Sequence, residues 1–166
     1  MENSIPALVI AGVLIIAAAV LGNVTNRSVS SVGDAWRDME TVSEARLGTD
    51  LAVVSANLDP TNTQVTVVLR NDGRTSISDF QHMDVIANYD GDSGRYSVWL
   101  PYTDLPVQPA NTWKVNGITN DNKNPGILDT GEEMTIVVDV NPAATGPTNR
   151  WLSLATETGL SYTVSF

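Results

Sequence analysis

The chain contains no cysteine and only one histidine, His82, among its 166 residues. Disulfide bonds and thiol chemistry are therefore excluded. No serine lies in a G-x-S-x-G turn and no nucleotide-binding glycine pattern is present. Because the carboxylates are scattered through turns, where Asp is common for backbone reasons, we predict that the protein is not an enzyme and needs no cofactor. His82 precedes a predicted strand and is expected at the surface.

Basic residues are scarce, with nine Lys and Arg against 19 Asp and Glu. Phosphate contacts need basic side chains, so nucleic acid is excluded as a partner. Most of the acidic excess falls in residues 49–166, which carry 14 acidic and six basic side chains. We expect an acidic, solvent-facing domain there.

One acidic stretch has the oxygen ligands that Ca²⁺ prefers, running from Asn120 to Gly126 and on to Asp129, Glu132 and Glu133. The EF-hand pattern fails, since Pro125 replaces its glycine and Gly131 its final acid. Asp90 and Asp92 form a weaker candidate. We predict ordinary acidic turns and no metal site, with Ca²⁺ left open as the alternative.

Charge is also absent from the 18 residues Ile5–Gly22. A helix of that length nearly crosses a hydrocarbon layer. Ser4 can cap it, and Pro6 fits its first turn. A secretory signal would begin with basic residues, and none precedes this run. The run could be a signal peptide that is cleaved off, or a segment that is retained after a basic leader was removed just before Met1. We expect the retained segment.

An apolar stripe continues beyond the uncharged run at three- to five-residue steps, which predicts an amphipathic helix. It comprises Val29, Val32, Trp36, Met39, Val42 and Leu47. This apolar face could contact neighbouring subunits or dock against the chain's own second domain, and the sequence leaves both alternatives open. Gly22 and Gly33 predict a kink or melted turn near residues 22–31, and Gly48 predicts the end of the helix.

After Gly48 the apolar period changes to two, which indicates strands separated by turn clusters. The alternation of Val65, Val67 and Leu69 marks a core face. The predicted fold class is α+β: a long N-terminal hydrophobic helix (1–48) followed by an antiparallel Ig-like β-sandwich head (49–166). The predicted strands are Leu51–Leu58, Gln64–Arg70, Met83–Tyr89, Arg95–Leu100, Thr112–Val115, Glu133–Val140, Trp151–Thr156 and Leu160–Phe166.

This layout resembles an archaellin, the archaeal-type flagellin, within the type IV pilin-like group. The resemblance rests on the uncharged Ile5–Gly22 run, on NDGRTSISDF (Asn71–Phe80) leading into MDVIANY (Met83–Tyr89), and on NPGILDTGEEMTIVVDV (Asn124–Val140). Archaellar stator-type proteins share similar heads. Bacterial type IV pilins carry glutamate at the fifth mature position, where this chain has Ile5.

The resemblance implies a structural subunit of an extracellular helical filament, inserted in the membrane before assembly and then packed against copies of itself. The alternatives are a stator-like protein anchored by one helix and an adhesive pilus subunit. The residues expected to pack in a filament core are Ile10, Val13, Leu14, Ile16, Ala17, Val20, Leu21, Trp36 and Met39. Two sequons make Asn23 and Asn26 possible glycosylation sites.

Overall fold

The computed structural model of the protein describes residues 4–146 and 148–166. Within the N-terminal helix, the side chains of residues 4–9, 11, 17, 18 and 21–31 lie outside the description. The chain divides after Ser43 into two compact units. We treat each unit by itself.

Helix α1 runs from Ser4 to Gly48. It is continuous in hydrogen bonding, so the prediction of a melted turn near residues 22–31 is wrong. Its end at Gly48 agrees with the predicted stop. No helix in the described part of the chain combines the length and apolarity needed to cross a membrane.

The second unit contains eight strands and one short 3₁₀-helix, Phe80–His82. Each predicted strand is present, with ends that differ by a few residues. The strands are β1 Leu51–Leu58, β2 Gln64–Asn71, β3 Asp84–Gly91, β4 Gly94–Leu100, β5 Trp113–Thr119, β6 Glu133–Asp139, β7 Trp151–Ala155 and β8 Ser161–Ser165.

The strands form two four-stranded sheets, ordered β1-β2-β6-β5 and β4-β3-β7-β8. Every neighbouring pair is antiparallel, which confirms the predicted antiparallel sandwich. Strand β5 continues four residues beyond its predicted end, because Asn116 forms a one-residue bulge between Val115, opposite Ile136, and Gly117. Pairing resumes at Gly117 opposite Thr135 and continues to Thr119 opposite Glu133.

The core lies between the two sheets and follows the predicted alternation. Val65, Val67 and Leu69 on β2 are fully buried. The facing sheet contributes Val85, Ala87 and Tyr89 from β3, along with Leu152 and Leu154 from β7. Trp113 is the largest fully buried side chain, and the Tyr102 ring packs edge-on against it with centroids 5.0 Å apart.

The last turn of α1 is tied to the loop after β2, inside the second unit. The Gly48 carbonyl accepts hydrogen bonds from the amides of Arg74 (2.6 Å) and Thr75 (3.0 Å), and Thr75 Oγ1 donates to the Ala45 carbonyl at 3.2 Å. These donors satisfy carbonyls that a helix end leaves without partners. The loop approaches so closely that only glycine fits at Gly73, where a Cβ would lie 2.5 Å from the Asp50 nitrogen.

Candidate assembly surface

The uncharged part of α1 presents large aliphatic side chains to its surroundings. Those described there are 56–70% exposed in the isolated chain, namely Ile10, Val13, Leu14, Ile15, Ile16 and Val20. At 100° per residue their directions are spread around the whole helix rather than confined to one stripe. A helix that is apolar on every face is normally buried, in a protein core or in lipid. We call these six residues the apolar rod.

Five of the predicted packing residues belong to the apolar rod: Ile10, Val13, Leu14, Ile16 and Val20. The side chains of Ala17 and Leu21 lie outside the described residues, so their predicted packing is not assessed. Sequence analysis missed Ile15, which is 70% exposed. The signal for it was present, because an uncharged run leaves no polar face and each of its large side chains needs cover.

Further along the helix the exposed apolar residues narrow to one face, as the sequence predicts. Val32, Trp36, Met39 and Val42 are 55–67% exposed and fall within about a third of the helix circumference at 100° per residue. Of the two other residues of the predicted stripe, Leu47 is exposed as well and the side chain of Val29 lies outside the described residues; from here on, the apolar stripe means the four residues Val32, Trp36, Met39 and Val42. Sequence analysis placed only Trp36 and Met39 among the packing residues, although Val32 and Val42 share their face.

The opposite face of this helical segment is polar and solvated. Arg37 and Asp34 form an ion pair at 3.5 Å whose side chains are 81% and 71% exposed. Exposed pairs of this kind contribute about 0–1 kcal/mol. Thr41 Oγ1 donates to the Asp38 carbonyl at 2.8 Å. The segment is therefore amphipathic, and its charged side needs no partner.

The sequons fall inside the uninterrupted helix α1. The side chains of Asn23 and Asn26 lie outside the described residues, so glycosylation at either stays a prediction.

Three carboxylates of the candidate calcium loop, those of Asp121, Asp129 and Glu132, accept hydrogen bonds from their own loop or its neighbours, although Asp121 Oδ1 is buried without a partner among the described residues. Asp129 accepts from Ser76 Oγ at 2.6 Å and from Asn124 Nδ2 at 2.8 Å, and these bonds hold the pKa of Asp129 below its usual value. Glu132 accepts the Asp129 amide at 2.9 Å, and Asp121 accepts the Gly126 amide at 2.8 Å. In this arrangement the carboxylates shape the turn.

The weaker candidate, Asp90 and Asp92, is engaged in the same way. Arg95 Nη1 lies 3.3 Å from Asp90 Oδ1, and the Tyr96 hydroxyl donates to Asp92 at 3.2 Å. Among the described residues, no three His, Cys, Asp or Glu side chains converge closely enough to hold a metal ion.

His82 lies at the surface, as expected, at the end of the 3₁₀-helix. Its side chain is 76% exposed, and its Nδ1 lies 2.6 Å from Asp79 Oδ2. The phenol of buried Tyr89 has its pKa raised, first by burial and then by neighbouring Tyr96.

Solved structures with this fold include two from Sulfolobus acidocaldarius and one from Methanocaldococcus jannaschii. The archaellum periplasmic stator protein FlaG matches at 20% identity and TM-score 0.50, over 70% of this chain and 99% of that one. The stator complex of FlaF and FlaG matches at 20% identity and TM-score 0.50, over 69% and 87%. The archaeal flagellin FlaB1 matches at 16% identity and TM-score 0.52, over 71% and 88%.

At these identities the likeness shows a shared fold. No protein-family model matches this sequence. No curated protein matches it significantly. The structures that share the fold include both a periplasmic stator protein and a flagellin.

Proposed function

We propose that this protein is a structural, non-enzymatic subunit of an extracellular helical filament, archaellum-like and used for motility. The observation that carries the proposal is the apolar rod, whose large side chains are exposed around the described part of the helix. Such a surface needs either lipid or other helices around it. The filament core would be built from residues 1–48, with residues 49–166 as the head.

The mechanism is a transfer of the helix from one apolar environment to another. Before assembly the uncharged segment Ile5–Gly22 sits in the membrane, and this stage rests on its sequence. On assembly it leaves the lipid and packs against the same segment of other copies. A contact between two different patches of identical subunits does not close on itself, so it propagates as a filament.

The apolar stripe extends this contact toward the head. Its residues are as exposed as those of the apolar rod, yet the stripe lies in a charged, amphipathic segment. The acidic head remains in solvent and opposes non-specific association between filaments. The fold shared with the flagellin FlaB1 is consistent with this role.

The proposal is tested by placing a charge in the apolar rod. Val13→Arg should prevent filament formation, because Arg near the middle of a buried apolar segment costs about 2.5–3.5 kcal/mol per copy. Ala17→Arg should act in the same way. Thr41→Arg is the matched control, since Thr41 lies on the exposed polar face. Electron microscopy of material sheared from cells reads the result, and normal filaments from Val13→Arg would refute the proposal.

A second function is favoured by the likeness to the stator protein FlaG. In that role one helix anchors the chain and the sandwich binds another surface protein. A lone anchor needs the apolar rod but not the apolar stripe. Replacing Trp36 and Met39 together by Asp therefore separates the two: a filament subunit would stay in the membrane fraction and lose assembly, while an anchor would keep its function.

An adhesive pilus subunit would use the same assembly without rotation. Torque is supplied by other proteins, so cell tracking distinguishes this role from motility. Cells that carry filaments of this subunit should swim, and swimming should stop in the Val13→Arg strain.

A further inference from the structure

A cleft of about 480 Å³ opens at one end of the sandwich head, between the 3₁₀-helix and the segment that follows β4. Trp99 forms one wall, and Gln81, Tyr102, Thr103 and Asp104 supply polar groups around it. None of these side chains belongs to the assembly surface. The cleft combines one large aromatic ring with several hydrogen-bonding groups, which is the usual composition of a small-molecule site.

Trp99 has no role in the core of the sandwich. It lies on β4 opposite Ile86 of β3, and it is 58% exposed. Its Nε1–H donates to Asp84 Oδ1 at 2.9 Å. This hydrogen bond holds the indole by its edge, so the ring is oriented while much of it stays open to solvent.

The polar groups of the cleft are largely uncommitted. The side chains of Gln81, Tyr102 and Asp104 make no hydrogen bond to any part of the chain that the structure describes. The pKa of the Tyr102 phenol is raised by burial and further by the charge of Asp104. Thr103 Oγ1 accepts the Leu105 amide at 3.3 Å, which leaves its own proton free to be donated.

We propose that this cleft binds a neutral hexopyranose sugar. One ring face of such a sugar presents only C–H groups and stacks on an indole, while its hydroxyls both donate and accept hydrogen bonds. Asp104 would accept from hydroxyls, Gln81 would do both, and Thr103 would donate. Every residue that lines the cleft belongs to the head.

Two other occupants fit the chemistry less well. A cation would be attracted by Asp84 and Asp104, but cation-binding sites enclose the charge with several aromatic faces. Here the Tyr102 ring packs against buried Trp113 instead, and a single open indole remains. A second copy of the chain would bring another acidic surface, with a formal net charge of −10, to a cleft that already holds carboxylates.

The experiment is saturation-transfer NMR on the full chain in detergent micelles, with methyl β-D-glucopyranoside and methyl β-D-galactopyranoside as probes. We expect the glucoside to receive saturation mainly on the axial C–H face formed by H1, H3 and H5. Trp99→Ala should abolish the transfer. Val54→Ala is the control, because Val54 is an exposed apolar residue of the head on β1 that does not line the cleft, and it should leave the transfer unchanged.

A second variant tests the hydrogen-bonding groups without removing the ring. Asp104→Asn should weaken binding several-fold, read as a rise in Kd, while the indole resonance of Trp99 keeps its position in the free protein. Transfer that persists in Trp99→Ala, or no transfer to either glycoside, would overturn the proposal. The proposal would also be overturned if the Trp99 resonance shifted on addition of tetramethylammonium but not of the glycosides, which would indicate a cation site. A shift of that resonance with protein concentration alone would indicate contact with a second copy and would overturn it too.

Discussion

Truncating Trp36 in the apolar stripe should weaken self-association strongly while leaving the fold intact. The side chain is 67% exposed in the isolated chain, so its removal costs little within one subunit. In a filament the same indole would be covered by a neighbouring copy. Trp36→Ala therefore isolates the contribution of one stripe residue to assembly.

The size of the effect follows from the area that assembly would cover. A fully buried Trp side chain covers about 150–250 Å². Because two-thirds of Trp36 is exposed, a neighbouring copy could cover roughly 100–170 Å² of it. At about 25 cal/mol per Å² this corresponds to about 2.5–4 kcal/mol. Ordering the side chain offsets about 0.5–1.5 kcal/mol. A loss of about 2 kcal/mol is expected, and it raises the dissociation constant about thirtyfold.

Sedimentation equilibrium of the full chain in detergent micelles measures that constant, and the yield of sheared filaments provides an independent check in cells. Arg37→Ala serves as the control, because its ion pair is fully solvated and lies on the polar face. Its dissociation constant should change by less than about twofold. A Trp36→Ala protein that associates as tightly as the unmodified chain would refute the assignment of the stripe to subunit contacts.

Three further predictions concern the head. Gly73→Ala should lower the free energy of unfolding, measured by urea titration, by about 1–3 kcal/mol, because its Cβ would clash with the Gly48 carbonyl oxygen. The control Gly117→Ala should change that free energy little, because a Cβ at Gly117 meets open space. Stability should fall as the pH drops below about 4, the ordinary Asp value, because the lowered folded pKa of Asp129 contributes stability that is present above the unfolded pKa and is lost as the pH falls through the folded pKa. Asp129→Asn should be less stable at neutral pH and flatten that acid limb. Ile136→Ala in the full core should cost about 2–5 kcal/mol by calorimetry, against about 0.5–1.5 kcal/mol for Ile136→Val.

Most of the head fold could be read from the sequence, because strands with one buried face alternate strictly between apolar and polar residues. Val65, Val67 and Leu69 show this on β2, and turn residues mark the ends. The exception was β5, predicted to end at Val115, where Asn116 forms a bulge and the ladder continues to Thr119. The partner strand β6 supplies hydrogen bonds on both sides of that bulge, and a local pattern contains no information about that partner.

The candidate assembly surface was likewise foreseeable in outline. An uncharged run such as Ile5–Gly22 requires cover on every face, and it is recognisable without coordinates. The predicted melted turn was wrong because the low helix propensities of glycine and of β-branched and small polar residues act weakly, whereas each added turn of a helix continues a ladder already formed. Propensity alone therefore did not locate a break.

The sequence by itself determined the two-part character of this protein, a long N-terminal helix followed by an acidic β head, because hydrophobic period and charge distribution are local properties of the chain. Only the tertiary structure decided what is brought together across the fold. The approach of Gly73 to Gly48 and the cleft around Trp99 join segments that are distant in sequence. Such long-range contacts depend on strand order and on how the two sheets pack, and no short stretch of sequence encodes either of these.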